Sequence, residues 1–266
     1  MLDSCNRNIN YLRISVTDRC NLQCAYCMPE QGICKADPGE LLSFEEIAGI
    51  ARVGVDFGIT KLRITGGEPL VRHDLPRLVA MLASIPGVSD LSMTTNAVLM
   101  EEFAEDLKKA GLQRVNISLD TLDPVRFRNL TRGGDLEKVL RGIDISRQVG
   151  LSPIKLNTVL TGCTTERDIQ ELREYASGNG FELRFIREMD REKGLFWPVE
   201  GGDGGHCGLC NRLRLSAEGF IYPCLFNDLK YSVRELGPKE AFRLAIGNKP
   251  QSGKGSVLKK MYSIGG

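Results

Sequence analysis

Short β-branched runs alternate with amphipathic stretches along the first two thirds of the chain, and most of the amphipathic stretches close on a glycine. The short runs predict strands at Tyr11–Val16, Lys61–Thr65, Asp90–Thr94, Arg114–Leu119, Pro153–Leu160 and Phe181–Arg187. Between them the apolar residues recur at helical spacing. The first helix opens on a capping box, Ser43 with Glu46 three residues on, and ends near Gly58. Further helices are predicted from about Asp74 to Ile85, Leu99 to Ala110, Asp135 to Val149 and Thr165 to Ala176. Gly87, Gly111, Gly150 and Gly180 stand where C-terminal caps belong.

This alternation implies a parallel sheet with right-handed crossovers. Six units are too few for a closed eight-stranded barrel, so the expected class is α/β, a partial (β/α)6 TIM-like barrel with its chemistry at the C-terminal strand ends. The barrel is expected over residues 1–190. Residues 191–206 read as a flexible glycine-rich linker around Glu200–Gly205, and residues 207–266 as a small C-terminal region with a tail. On composition alone the tail from Ser252 onward reads as frayed.

Charge adds an exclusion. With 35 Lys and Arg against 34 Asp and Glu, no global field argues for DNA, RNA or membrane binding. The apolar runs are shorter than a membrane span, and no apolar leader with a cleavage site opens the chain, so a cytoplasmic address is expected.

The nine cysteines change the picture, because in a reducing compartment they point to metal or catalysis rather than disulfides. Cys5, Cys34 and Cys163 stand alone and read as small buried or unengaged thiols. Cys20, Cys24 and Cys27 follow the first strand in a loop, and Cys207, Cys210 and Cys224 form a second trio. Three thiolates are one fewer than a closed metal site takes; on a [4Fe–4S] cube they leave one iron open to a small molecule. Zinc completed by a remote ligand is the alternative for either trio, with His73 and His206 the only histidines.

A second anomaly is cationic. Arg13, Arg63, Lys155 and Arg184 sit on four predicted strands, and Arg212 and Arg214 alternate on a further segment. Any one of them reads as a snorkelling or ion-paired side chain. Six facing one lumen would repel one another unless an anion sat among them, and a ligand with several phosphates fits that need.

Cys-x3-Cys-x2-Cys with Tyr26 before the last cysteine resembles the signature of the radical S-adenosylmethionine (SAM) superfamily. Gly66-Gly67-Glu68-Pro69, at the end of the second strand, resembles its second motif. The resemblance implies that the open iron of the first cube chelates SAM and that an electron from it yields a 5′-deoxyadenosyl radical. The stretches Cys210–Leu215 and Pro223–Phe226 resemble the C-terminal domain of the GTP 3′,8-cyclase family, which performs the first step of molybdenum-cofactor biosynthesis. Leu12–Cys20, Thr94–Asn96, Asn116–Asp120, Lys155–Asn157, Leu183–Ile186 and the final Gly265-Gly266 resemble the same family.

That resemblance implies two [4Fe–4S] clusters and SAM as cofactors, with the second cluster binding the guanine of GTP. It implies that Tyr26, Gly67, Ser118 and Met189 contact SAM, and that Arg13, Arg63, Thr94, Lys155, Arg184, Arg212 and Arg214 contact GTP. Arg13, Arg212 and Arg214 would serve catalysis, together with Gly265 and Gly266 of a tail that enters the active site. Hydrogen abstraction from C3′ of the ribose, attack on C8 and uptake of an electron and a proton would give 3′,8-cyclo-7,8-dihydro-GTP. A reductant protein and a downstream pyranopterin synthase follow as partners, and a homodimer stays open. Two departures stand out: the chain is short between Met189 and Cys207 and again after Phe226, and Ala97 replaces the glycine expected after Thr-Thr-Asn. The other readings are a peptide-modifying radical SAM enzyme with an auxiliary cluster, and an inactive shortened scaffold that still binds clusters.

Overall fold

A computed structural model of the chain describes residues 1–29, 31 and 35–256, so Cys34, Gly265 and Gly266 lie outside the described residues. The six expected strands form close to their expected places: β1 (Tyr11–Ser15), β2 (Lys61–Thr65), β3 (Asp90–Thr95), β4 (Arg114–Ser118), β5 (Lys155–Leu160) and β6 (Glu182–Arg187). They pair in parallel and in chain order. The crossovers carry α1 (Phe44–Asp56), α2 (Leu75–Ala83), α3 (Met100–Lys109), α4 (Pro124–Leu130), α5 (Leu136–Gln148) and α6 (Glu166–Asn179). Ser43 and Glu46 cap α1 reciprocally, as the sequence predicts. Only α4 lacked an expectation. It is seven residues long, too short for periodicity to register, and is started by Asp123 as N-cap with a proline in its first turn.

The sheet does not end at β1. Beyond it come β7 (Arg212–Leu215), β8 (Phe220–Tyr222) and β9 (Tyr231–Ser232), giving one nine-stranded open sheet in the order β6-β5-β4-β3-β2-β1-β7-β8-β9. β7 lies parallel to β1, with Tyr11 opposite Arg212 and Arg13 opposite Arg214, and the last two strands are antiparallel. The result is a partial TIM-like barrel with an antiparallel extension.

Side chains alternate across this sheet because successive residues of a strand point to opposite faces. Leu12, Ile14, Leu62, Ile64, Leu91, Met93, Val115, Ile117 and Leu156 are buried in the main core with the helices. The positions between them hold Arg13, Arg63, Ser92, Arg114, Asn116 and Lys155. Parallel strands are ordinarily apolar on both faces, so this polar inner face needs a separate cause, taken up below.

The C-terminal strands share the core of the barrel. Leu213, Leu215 and Ile221 belong to it, as do Ala241, Phe242, Ala245 and Ile246 of the region around α8 (Pro238–Gly247), which follows the one-turn α7 (Val233–Leu236). Phe242 stacks on Phe57 at the end of α1, and a Cβ on Gly54 would come within 2.9 Å of its ring. The segment between β6 and Cys207 also packs. Phe185 and Glu200 exchange backbone hydrogen bonds of 3.1 Å, and Phe196 stacks at 4.5 Å on Phe226 in a small cluster with Met189, Tyr222 and Leu225. Gly201 has φ +78°, and a Cβ there would stand 2.4 Å from the Leu183 carbonyl oxygen, so its glycine permits a close backbone approach to β6.

Phe242→Ala opens a cavity at the joint between α1 and α8. A loss of about 3–5 kcal/mol is expected, read as a lower urea midpoint at unchanged slope.

Candidate active site

The first cysteine trio sits in the loop after β1, and the Gly-Gly-Glu-Pro turn after β2 is zipped against the stretch that leads into it. Gly67 donates its N–H to the Thr17 carbonyl at 2.8 Å and Glu68 to the Arg19 carbonyl at 2.8 Å. A Cβ on Gly66 would come within 2.8 Å of the Thr17 oxygen, and one on Gly67 within 2.3 Å of the Arg19 oxygen. Both glycines are therefore required by backbone proximity. Glu68, 1% exposed, accepts hydrogen bonds from the Leu70 N–H (3.1 Å), the Thr95 hydroxyl (2.7 Å) and the Asn96 N–H (2.7 Å). It thus ties this turn to the end of β3. Asn96 in turn reaches Asn21 at 2.7 Å and the Cys20 sulfur at 3.8 Å. Ala97, next in line, has φ +61°. That is the left-handed conformation which glycine takes freely and alanine takes at a cost of about 1–2 kcal/mol, so the departure noted in the sequence is a strained backbone at this loop.

The Cys24 carbonyl accepts the N–H groups of Cys27 and Met28 at 2.9 Å each, curling the loop into a turn. Burial pushes the Cys20 thiol up to about 11 and the Cys24 thiol up to about 12; Glu68 and Asp120 respectively, and the neighbouring thiols, add to it. Cys27 is also raised by burial, against which Arg191 acts. Thiols raised in this way would stay protonated at neutral pH, and a metal cation facing them would deprotonate them. The Tyr26 hydroxyl donates to Asp120 at 2.9 Å, and the other Asp120 oxygen accepts the Val159 N–H at 2.7 Å.

Inside the sheet lies a cavity of about 490 Å³ lined by Arg13, Arg63, Lys155, Arg184, Arg212 and Arg214, and also by Met189, Cys207, Cys210 and Cys224. All six expected cations therefore converge. Arg214, Arg13 and Arg63 stand side by side in one register row across β7, β1 and β2. Burial and then mutual repulsion hold Arg13 well below its ordinary value, and burial is the main cause that lowers Arg63, and Arg214 to about 10. Tyr11 lies between two of these cations, with Arg63 at 5.3 Å and Arg212 at 6.0 Å from its ring centre. At the β5–β6 side Glu182 pairs with Lys155 and, at 3.6 Å, with Arg184.

Several inner residues had no signal in the sequence. Lys61, Asp90, Arg114, Asn157 and Lys249 line the same cavity. Asp90 holds Arg114 by a two-pronged bridge of 3.1 and 2.6 Å. The Arg114 Nη1, Tyr11 Oη, Thr94 Oγ1 and Asn116 Oδ1 atoms are buried with no hydrogen-bond partner among the described residues. Of these four, Tyr11 and Arg114 line the cavity, and their unmet atoms are what a polar anionic ligand would satisfy. Thr94 and Ser118 stand at or near the C-terminal ends of β3 and β4. The first trio, Tyr26 and Gly67 lie in loops outside the lining of this cavity. Among the described residues no three His, Cys, Asp or Glu side chains are gathered closely enough to hold a single metal ion.

The sequence profile of the Radical SAM superfamily matches residues 14–176. The chain is 40% identical over 299 residues to a GTP 3′,8-cyclase of Alkaliphilus oremlandii, covering 94% of this chain and 93% of the relative. The chain belongs to the radical SAM superfamily, and within it to the GTP 3′,8-cyclase family. A GTP 3′,8-cyclase of Syntrophomonas wolfei is 38% identical, with both chains fully covered by an alignment of 326 residues. Against a chain of 266 residues, that alignment confirms the shortening seen in the sequence. Among solved structures, Streptococcus suis SuiB bound to S-adenosylmethionine shares the fold, with a TM-score of 0.63 at 18% identity over 91% of this chain and 64% of that one.

Burial raises Glu68 from its ordinary 4.5 to about 7. The folded chain thus keeps this proton across a range where the unfolded chain has lost it. Its contribution favours folding most in acid and is lost as the pH rises through about 7. Glu68→Gln should shrink the difference in Tm between pH 5 and pH 8, as read by thermal melts of the metal-free protein.

Proposed function

We infer that this chain is a radical SAM GTP 3′,8-cyclase, which converts GTP to 3′,8-cyclo-7,8-dihydro-GTP in molybdenum-cofactor biosynthesis. The observation that carries this reading is the single cavity that gathers six cations and the second cysteine trio. Six cations around one cavity suit the several negative charges of a nucleoside triphosphate better than an uncharged peptide backbone. The volume also suits a nucleotide-sized ligand.

The residue roles belong to the same reading. Cys20, Cys24 and Cys27 would hold one [4Fe–4S] cluster, with SAM contacted by Tyr26, Gly67, Ser118 and Met189. When bound, this pair supplies the radical that takes a hydrogen atom from the substrate. Cys207, Cys210 and Cys224 would hold a second [4Fe–4S] cluster that takes the guanine. Arg13, Arg63, Arg184, Arg212, Arg214 and Lys155 would grip the phosphates, and Thr94, which is outside the cavity lining, would contact GTP as the family resemblance implies. Several fixed contacts along one polyanion restrict how the ribose can sit, which is the protein's share of the catalysis. Gly265 and Gly266, outside the described residues, would form the active-site tail that the family resemblance implies. The activity calls for a reductant protein and a pyranopterin synthase to consume the product, in the cytoplasm. No described helix is long and apolar enough to cross a membrane.

Two measurements test this reading. Anaerobically reconstituted protein given GTP, SAM and dithionite should form 5′-deoxyadenosine and a product isomeric with GTP, separable by chromatography and identified by mass and NMR. Absence of any such product, with about eight irons bound per chain, would remove the assignment. Arg13→Met takes one buried cation out of the row formed with Arg63 and Arg214. The ligand-free Tm should hold or rise, since a cation crowded by Arg214 and Arg63 is removed. GTP affinity should fall by about tenfold or more, the equivalent of one charge-assisted contact.

A further inference from the structure

Two buried cations that belong to no motif grip the backbone around the second cysteine trio. Lys249, just after α8 and 3% exposed, donates from Nζ to the Arg212 carbonyl at 2.7 Å and to the Pro223 carbonyl at 2.5 Å. Arg212 lies two residues after Cys210, and Pro223 immediately precedes Cys224. One ammonium thus ties together the two limbs that carry these cysteines. Arg7 does the rest. Its guanidinium donates to the carbonyls of Cys207 (2.8 Å), Pro250 (2.8 Å), Gln251 (3.2 Å) and Lys249 (3.4 Å), and it is itself held by Asp3 at 2.7 Å. The third cysteine and the segment bearing Lys249 are therefore anchored to the N-terminal residues of the chain.

A buried ammonium costs several kcal/mol unless an anion faces it. The hydrogen bonds to Arg212 and Pro223 are to neutral carbonyls, and the groups near it that would carry negative charge as metal ligands are the sulfurs of Cys210 and Cys224. The surroundings of the two trios differ. Glu68 and Asp120 bear on the first, with Arg191 acting on Cys27 in the opposite sense; two cations, Lys249 and Arg212, bear on Cys210 of the second. Net charge and hydrogen bonding near the sulfurs set the reduction potential of an iron–sulfur cluster, and nearby cations raise it.

We propose that Lys249 is a positioning residue of the second cluster: it fixes the limbs of Cys210 and Cys224, offsets the charge of the cluster they hold and sets its potential above that of the first. The proposal rests on the reading of the trios given above. Because Lys249 also grips the Arg212 carbonyl, the same residue couples the cluster to a cation of the nucleotide cavity.

The experiment compares Lys249→Gln, which drops the charge and keeps two N–H donors, with Lys249→Met, which drops both. The second cluster is followed alone by EPR-monitored redox titration in the full chain carrying Cys20→Ala, Cys24→Ala and Cys27→Ala. GTP affinity is measured in the holoprotein with both trios intact. Both substitutions should shift the midpoint to more negative values and weaken GTP binding by about tenfold or more. Loss of the second cluster's iron in Lys249→Met, with Lys249→Gln loaded and shifted, also supports the positioning role. An unchanged midpoint and unchanged GTP affinity in Lys249→Gln overturn it, whether or not Lys249→Met folds. If the unsubstituted holoprotein fails to bind GTP, the functional reading falls, while the midpoint still decides the role of Lys249.

Discussion

Burial of like charges side by side is the constraint on which this structure turns. Arg214, Arg13 and Arg63 share one row of a sheet, where neighbouring strands stand about 4.8 Å apart. Within it Arg13 is pressed by Arg214 on one side and Arg63 on the other. Asp90 serves Arg114, and Glu182 serves Lys155 and Arg184, both at the far side from β7. The fold holds the row in place because the opposite face of the same strands buries Leu12, Ile14, Leu62, Ile64, Leu213 and Leu215. One face of the sheet supplies the stability that the other face needs in order to stay ready for an anion.

The two cysteine trios occupy opposite electrostatic settings on this scaffold. The first lies among acidic residues. Glu68 and Asp120 are both buried and both hold backbone N–H groups that shape the loops around it. The second lies at the cationic cavity, where Lys249 and Arg7 fix its backbone. On the proposed reading, the arrangement would separate the two tasks of the chemistry, with the radical generated at one end and the polyanion held at the other.

The shortening of the chain relative to its relatives removes positions without removing this framework. The stretch from Asp190 to His206 is short, yet Phe196 still packs on Phe226 and Glu200 still pairs with Phe185. β7 reaches β1 by way of this stretch, and the register of Arg212 and Arg214 against Tyr11 and Arg13 is kept. Ala97 marks the other departure, and its left-handed backbone is tolerated because its residue is wholly buried beneath α5.

Local signals made much of this molecule legible. Period-two strands, the Ser43–Glu46 cap and the closely spaced cysteines each depend on residues near in sequence, so the six barrel strands, five of the helices and both trios could be read directly. The double glycine of Gly66-Gly67 was readable as a motif, although its cause, the approach of the Thr17–Arg19 backbone, was not. What only the tertiary structure decided were pairings between distant segments. These include β7 docking on β1, Glu68 reaching Asn96, Asp90 clasping Arg114, and Lys249 closing on the second trio. A single lysine or aspartate carries no pattern in sequence, because its meaning comes from the carbonyl or cation that folding brings within about 3 Å of it. The sequence by itself therefore determined the fold class and the chemistry of the ligands, and the sheet order determined that six separate cations share one cavity.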